Sequence, residues 1–326
     1  MKPIIAISMG DYNGIGPEVT FKALASIDTQ FSTPVWIGSK SVLQYYTTGL
    51  NLPITYHKAD ENGPFKDGKI HILDLFHNED HQPEPGVLSA DAGRTAMKAV
   101  ETGIRLCMNK KCHALVTAPI SKEAISMAGY DVPGHTEFLA QQTSADDVVM
   151  MLVNGDLRVA LVSVHVPLKD VGIDISAEKI IKKAEILHRS LIHDFGIQTP
   201  KIAVLGLNPH AGDGGVLGME EIDIIQPSIH SLRNSGVRAD GPFPADGFFG
   251  SRLHHTYDAI LAMYHDQGLI PFKTLSFGKG VNFTAGLPII RTSPDHGTAF
   301  SIAGKNRADE SSFLEAYNLA LSMVKN

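Results

Sequence analysis

The chain has 326 residues, 43% hydrophobic and 19% charged, which is enough for one large or two medium domains with full cores. Its formal net charge is -7, with Lys and Arg scattered rather than blocked, which argues against a nucleic-acid partner because such a partner needs a basic face. Cys107 and Cys112 are the only cysteines and suit a reducing compartment; no apolar run nears the ~20 residues of a membrane span, and the N-terminus is not a signal peptide, so a soluble, cytoplasmic protein with no membrane partner is expected.

In chain order, Ile4 to Met9 reads as a first strand, running into Gly10-Asp11-Tyr12-Asn13-Gly14-Ile15-Gly16-Pro17-Glu18. Pro17 suits the first turn of a helix. A glycine-rich turn of this kind can hold an anion on free N–H groups or can simply be tight. It is neither a Walker A loop nor a full Gly-x-Gly-x-x-Gly, because its sixth position is Val19. Val35 to Ile37 and Ile70 to Phe76 are the next strands, followed by a polar stretch, 77–85, expected to be an exposed loop with His77 and His81 solvated. Ala90 to Asn109 is helical, with Met97, Val100, Ile104 and Met108 on one core-facing stripe. Ala114 to Thr117 is a strand, and Gly134-His135-Thr136-Glu137 a loop entering a helix.

Val148 to Val153 and Arg158 to Val164 form a hairpin across Asn154-Gly155, and the second run ends in His165. Ser176 caps a helix of 177–195 that Gly196 stops. Ile202 to Leu207 is a strand ending in Asn208-Pro209-His210, and a helix over 220–234 is interrupted at Pro227. A turn-rich loop, 242–247, holds Asp246. Ala259 to Met263, a short apolar run bounded by turn signals, is a buried strand ending in Tyr264-His265-Asp266-Gln267. Lys273, Asn282 and Arg291 are expected on loops, and Asp309 caps a last helix. The alternation of strands and helices implies an α/β fold whose sheet is mostly parallel, with antiparallel strands added.

Three histidines, His165, His210 and His265, each follow an apolar strand. In open α/β sheets ligands sit beyond the carboxyl ends of strands. Three neutral imidazoles converging there suit Zn²⁺ or another divalent transition metal, although each could equally cap its own strand. Asp266 and Asp246 stand near enough in sequence to orient an imidazole or act as a base, or to serve as turn residues. Lys273, Asn282 and Arg291 could bind a phosphate or carboxylate.

Gly-Leu-Asn-Pro-His-Ala-Gly (206–212), Ala-Met-Tyr-His-Asp-Gln-Gly (262–268), Pro-Gly-His-Thr-Glu (133–137) and Arg-Thr-Ser-Pro-Asp-His-Gly-Thr-Ala (291–299) together resemble the 4-hydroxythreonine-4-phosphate dehydrogenase family of pyridoxal phosphate biosynthesis, over essentially the whole chain. The 296–305 stretch also looks like the adenine-side cofactor loop of isopropylmalate dehydrogenases. The resemblance implies two α/β/α domains with a cleft between them, of isopropylmalate dehydrogenase type and not Rossmann. The expected division is 1–126 plus 286–326 as the cofactor-side domain, and 127–285 as the metal, substrate and dimerisation domain.

The resemblance further implies His165, His210 and His265 as ligands of one divalent metal (Zn, Mg or Co) shared at the interface of a homodimer. It implies substrate contacts from His135, Thr136, Lys273, Asn282 and Arg291. Asp246, Asp266 and Lys273 would serve the chemistry, and His296, Gly297, Thr298 and Ala299 the NAD or NADP. The implied reaction is oxidation and decarboxylation of 4-phosphooxy-L-threonine to 3-amino-2-oxopropyl phosphate; the near alternative is a four-carbon sugar-acid phosphate, D-threonate or D-erythronate 4-phosphate. One departure is Tyr12-Asn13, where the family commonly has Pro-Ala.

Overall fold

The structure is a computed structural model and describes residues 2–132 and 134–325. Pro133, of the Pro-Gly-His-Thr-Glu block, lies outside the described residues. The strands are β1 (Ile4–Ser8), β2 (Thr33–Gly38), β3 (His57–Ala59), β4 (His71–Asp74), β5 (Ala114–Thr117), β6 (Val149–Asn154), β7 (Leu157–Leu161), β8 (Lys201–Leu205), β9 (Arg238–Phe243), β10 (Ala259–Ala262), β11 (Val281–Ala285) and β12 (Ile290–Pro294). The α-helices are α1 (Gly16–Ser26), α2 (Lys40–Gly49), α3 (Ala90–Met108), α4 (Lys122–Met127), α5 (His135–Thr143), α6 (Val171–Asp174), α7 (Ala177–His193), α8 (Gln226–Asn234), α9 (Ala245–Gly250), α10 (His265–Ser276) and α11 (Ser311–Lys325). Among the described residues no helix is long and apolar enough to cross a membrane.

The chain forms two compact units, Met1–Asp146 with Leu287–Lys325, and Asp147–Gly286. In the first, the strands run in the order β3-β4-β2-β1-β5-β12, and every neighbouring pair is parallel. Ile5, Ile7, Val35, Trp36, Leu115 and Val116 are fully buried. Strands covered on both faces read as continuous apolar runs, which is why β1, β2 and β5 are legible from sequence. The chain leaves β1 for β2 on one side and later takes β5 on the other. The loops after β1 and β5 therefore flank a switch point, where such sheets bind ligands.

In the second unit the order is β11-β6-β7-β10-β8-β9. β6 is antiparallel to both β7 and β11, while β7, β10, β8 and β9 are parallel. The β6–β7 hairpin turns at Gly155, whose φ of 56° only glycine adopts without strain. Leu161, Leu205, Ile260 and Phe272 share one core. A Cβ on Gly268 would fall 2.7 Å from Leu161 Cδ2, so glycine there lets α10 lie close on the strands. The predicted cap is present too: Ser176 Oγ accepts the Lys179 N–H at the start of α7.

Several local expectations need correction. Lys273 lies on α10 rather than in a loop, because Phe277 and Gly278, both at positive φ, end the helix only after it. Asn282 lies in β11 and Arg291 in β12; the strand begins as soon as the glycines stop, at Val281. Asp246 sits in the first turn of α9. Met108 is 45% exposed, since α3 ends there and outruns its packing partners, and His81 is 5% exposed despite its polar loop. β9 carries a Gly-Pro pair, which hid it; as an edge strand it tolerates proline.

Candidate active site

In the second unit β7, β10 and β8 are consecutive parallel neighbours, so His165, His265 and His210 follow carboxyl ends on one sheet edge. His265 opens α10, and its Nδ1 is hydrogen-bonded to Asp266 Oδ1 at 2.7 Å. That directs Nε2 to any ligand and fixes the ring, as carboxylates do behind metal-ligating imidazoles. Gln267 clamps the edge: its Oε1 accepts the Met263 N–H (2.7 Å) and its Nε2 donates to Gly206 O (2.6 Å), tying the end of β10 to that of β8.

The loop after β8 is held in an unusual conformation. His210, Ala211 and Asp213 have φ of 54°, 51° and 45°. Each such non-glycine residue costs on the order of 1–2 kcal/mol. Glu221, 1% exposed, offsets this by strapping the loop: its Oε1 accepts the Leu207 and Asn208 N–H groups, both at 2.7 Å, and its Oε2 accepts Asn208 Nδ2 at 2.9 Å. Sequence reasoning missed Gln267 and Glu221. The only trace of the second was an acidic pair, Glu220-Glu221, opening a helical segment.

Two cavities open on this edge. One, of about 560 Å³, is lined by His210, Asp246 and Asp266. The other, of about 600 Å³, is lined by His165, His265 and Asp266. The three imidazoles do not close a ligand set within this one chain. Among the described residues the group of three potential ligands lying within 4.8 Å of one another is Glu79, His81 and Asp91. The physical reason is spacing: β7 and β8 flank β10, so their ends stand roughly 9–10 Å apart. The donor set still fits a divalent transition metal, with three neutral nitrogen donors on adjacent strand ends and one already oriented by a carboxylate. Lys273 lies seven residues beyond Asp266 on α10, about 10 Å along the same face. Asn282 Oδ1 is buried and has no hydrogen-bond partner among the described residues.

The first unit holds a different group. Arg291 is 1% exposed, and its Nε and Nη2 donate to Thr117 Oγ1 at 3.1 and 2.7 Å. Burial pulls its guanidinium down to about 9, with Glu137 opposing the shift, so it is a cation at neutral pH. His135, the first residue of α5, is held well below the usual imidazole range by burial and then by Arg291, so it is neutral. Its Nε2 has no hydrogen-bond partner among the described residues. With Thr136 next in the chain, the group is a buried cation that has one acidic neighbour, Glu137, and keeps neutral polar groups beside it; a guanidinium has donors enough for a second anion.

On the same unit the 296–299 segment meets the glycine-rich turn. Ile15 N–H donates to Thr298 O at 2.9 Å, and a Cβ on Gly14 would fall 2.9 Å from Thr298 Cβ. His296 Nδ1 is hydrogen-bonded to Gly297 O at 3.1 Å, and Ala299 has a φ of 43°. The Glu79–His81–Asp91 group is an ion-paired cluster: Arg94 bonds both carboxylates, and Tyr12 Oη donates to Asp91.

Known proteins agree over the whole length. The sequence profile of the pyridoxal phosphate biosynthetic protein PdxA family matches residues 30–320. A 4-hydroxythreonine-4-phosphate dehydrogenase of Prosthecochloris aestuarii is 46% identical, covering 98% of this chain and 97% of its own. One of Bacteroides thetaiotaomicron is 42% identical over 99% of this chain and 89% of its own. The crystal structure of the Klebsiella pneumoniae 4-hydroxythreonine-4-phosphate dehydrogenase superposes with a TM-score of 0.90 at 36% identity, covering 100% of this chain and 99% of that one. With this architecture and these relatives, the chain belongs to the pyridoxal phosphate biosynthetic protein PdxA family of dehydrogenases.

Proposed function

We propose that the chain oxidises 4-phosphooxy-L-threonine with NAD or NADP and releases CO₂, giving 3-amino-2-oxopropyl phosphate for pyridoxine phosphate biosynthesis. The observation that carries this is the match, over essentially the whole chain, to relatives named for that dehydrogenase activity. His165, His210 and His265 would hold one divalent metal, Zn, Mg or Co. When bound, it supplies a Lewis acid that eases loss of the alcohol proton and stabilises the charge left as CO₂ departs. The nicotinamide, when bound beside 296–299, would be the acceptor for the hydride of the alcohol carbon.

The chain's own residues do the rest. Asp266 keeps the His265 ring in one orientation, and Asp266 or Asp246, which line one cavity with His210, takes the hydroxyl proton. Arg291, cationic at neutral pH, binds an anionic group of the substrate with help from Thr136. His135, held neutral, contributes a hydrogen bond and no charge. Lys273 and Asn282 serve the same substrate, and His296, Gly297, Thr298 and Ala299 the dinucleotide. The first unit would thus be the cofactor side.

We further propose a homodimer that covers the histidine edge. Leu168, Val216 and Ile270, on the segments that follow the three histidines, are 73%, 79% and 63% exposed. Apolar surface of that extent around a polar site marks a contact face. Sedimentation velocity should show a dimer, and a Leu168→Glu/Ile270→Glu variant a monomer of low activity; a wild-type monomer at full activity overturns the dimer.

Reduction of NAD⁺ and NADP⁺ is followed with 4-phosphooxy-L-threonine, D-threonate 4-phosphate and D-erythronate 4-phosphate, before and after chelation. Turnover of the first, lost on chelation and restored by Zn²⁺, Mg²⁺ or Co²⁺, is expected. Preference for either sugar-acid phosphate overturns the substrate, and undiminished turnover after chelation overturns the metal.

A further inference from the structure

Tyr12-Asn13, in the glycine-rich turn, carries side-chain bonds that an apolar pair could not make. We propose that Asn13 is a positioning residue for the dinucleotide, fixing the 84–87 segment as a buttress against the cofactor segment. This deepens the proposed assignment of 296–299 to the cofactor and rests on it.

Asn13 is 2% exposed. Its Oδ1 accepts the Glu84 N–H at 2.8 Å, its Nδ2 donates to Val87 O at 2.9 Å, and its backbone O accepts the Gly86 N–H at 2.7 Å. Its own N–H donates to Asp11 Oδ1 at 2.9 Å. A short side chain with both an acceptor and a donor is needed to hold both ends of one four-residue segment, and alanine offers neither.

The held segment bears on the cofactor side. A Cβ on Gly304 would fall 2.6 Å from Pro85 Cβ, and one on Gly86 would fall 3.1 Å from Phe300 O. From its other side the 298–308 stretch is held by Ile15 N–H on Thr298 O, and by Ala308 N–H on Glu18 Oε1 at 2.8 Å. The glycine-rich turn, the 84–87 segment and the cofactor segment thus close a ring, in which Asn13 makes one joint and Gly14-Ile15 another. Glu84 and Val87 are exposed, so water can take over their backbone groups when Asn13 is lost. The ring would loosen while the fold survives.

The test compares Asn13→Ala, Asn13→Asp and Gly14→Ala with wild type by NADH fluorescence titration, KM for each substrate, and thermal midpoint. Asn13→Ala should raise the NADH Kd and the cofactor KM roughly tenfold, the effect of one or two ordinary hydrogen bonds. The KM for the phosphorylated substrate should stay within about twofold. Asn13→Asp keeps the acceptor for Glu84 but sets a carboxyl oxygen against Val87 O beside buried Asp11, so it should weaken NADH binding at least as much as Asn13→Ala, and carries the test if the alanine variant is insoluble. Gly14→Ala crowds Thr298 and should weaken NADH binding by itself. Unchanged cofactor affinity in the Asn13 variants beside a weakened Gly14→Ala overturns the proposal and leaves the cofactor site standing. Unchanged affinity in all three overturns both. Equal loss of cofactor and substrate affinity with a lowered midpoint means a merely structural role and also overturns the proposal.

Discussion

The two units end their sheets in different ways. In the first, Arg291 is 1% exposed and bonded to Thr117, and the 296–299 segment is seated on Gly14 and Ile15. In the second, His165 and His210 are exposed, and Leu168 and Ile270, which line the two cavities there, are 73% and 63% exposed. One edge is preorganised by the chain's own packing; the other presents imidazoles and apolar surface that the chain itself does not cover. Groups already held rigid lose little freedom on binding, whereas exposed side chains need something else to order them. Substitutions at the open edge should therefore abolish function with little change in stability, and substitutions at the packed edge should do both.

The largest effect is expected at the open edge. His210→Ala removes one of three proposed metal ligands, and should lower bound metal and turnover by more than the roughly 10–100-fold seen when a mere ligand-orienting residue is removed. With both proteins stripped of metal, its thermal midpoint should stay within a degree or two of wild type, since an exposed side chain is lost. Wild-type metal content by mass spectrometry would rule the residue out as a ligand.

Arg291→Met is the counterpart at the packed edge. It removes a buried cation, and should raise the substrate KM by roughly 10–100-fold, as charge-assisted hydrogen bonds of about 1.5–3 kcal/mol imply. It also leaves Thr117 and Glu137 without the guanidinium, so the thermal midpoint should drop as well. An unchanged KM with a lowered midpoint would make Arg291 structural only. Between the two lies Asp266→Asn, which weakens the hold on His265 Nδ1 and should reduce metal affinity by roughly 10–100-fold without affecting stability. Equal metal affinity in titrations of wild type and variant would break the orienting role.

How much of this was legible follows from how local each signal is. The β6–β7 hairpin, the Ser176 cap and the apolar runs of β1 and β5 depend on neighbouring residues, and were readable. So were His165, His210 and His265 as strand-end residues. That β7, β10 and β8 stand side by side was not, because strand order depends on pairings between residues far apart in sequence. Gln267 and Glu221 were invisible for the same reason: each bonds a backbone group more than ten residues away. Lys273 and Asn282 were misplaced because the glycines at 278 and 280 suggested a longer loop than the chain makes. His81 lies in a polar loop, yet Ser39, Glu79 and Asp91 enclose it. The site's residue types were thus readable earlier than their surroundings.

A separate effect touches stability alone and leaves the site's chemistry aside: what the packed edge costs. Asp11, in the glycine-rich turn, is fully buried, with its Oδ2 unpartnered among the described residues. Burial pushes its carboxyl up from 3.8 to about 6, against the opposing N–H groups of Asn13 and Gly14. The unfolded chain gives up this proton near the ordinary value, and the folded chain keeps it until about 6. Between those values the folded state binds more protons, so Asp11's contribution to stability is full below about pH 4 and is lost as pH rises through about 6. The size is on the order of 3 kcal/mol. Asparagine at this position keeps an acceptor for the Asn13 N–H and cannot ionise. Urea unfolding of wild type and Asp11→Asn at pH 4, 5, 6 and 7.5 should show wild type losing ground to the variant as pH rises, with the gap level above about 7. Parallel curves would mean that the carboxylate is solvated, and that the packed edge is looser there than at Arg291.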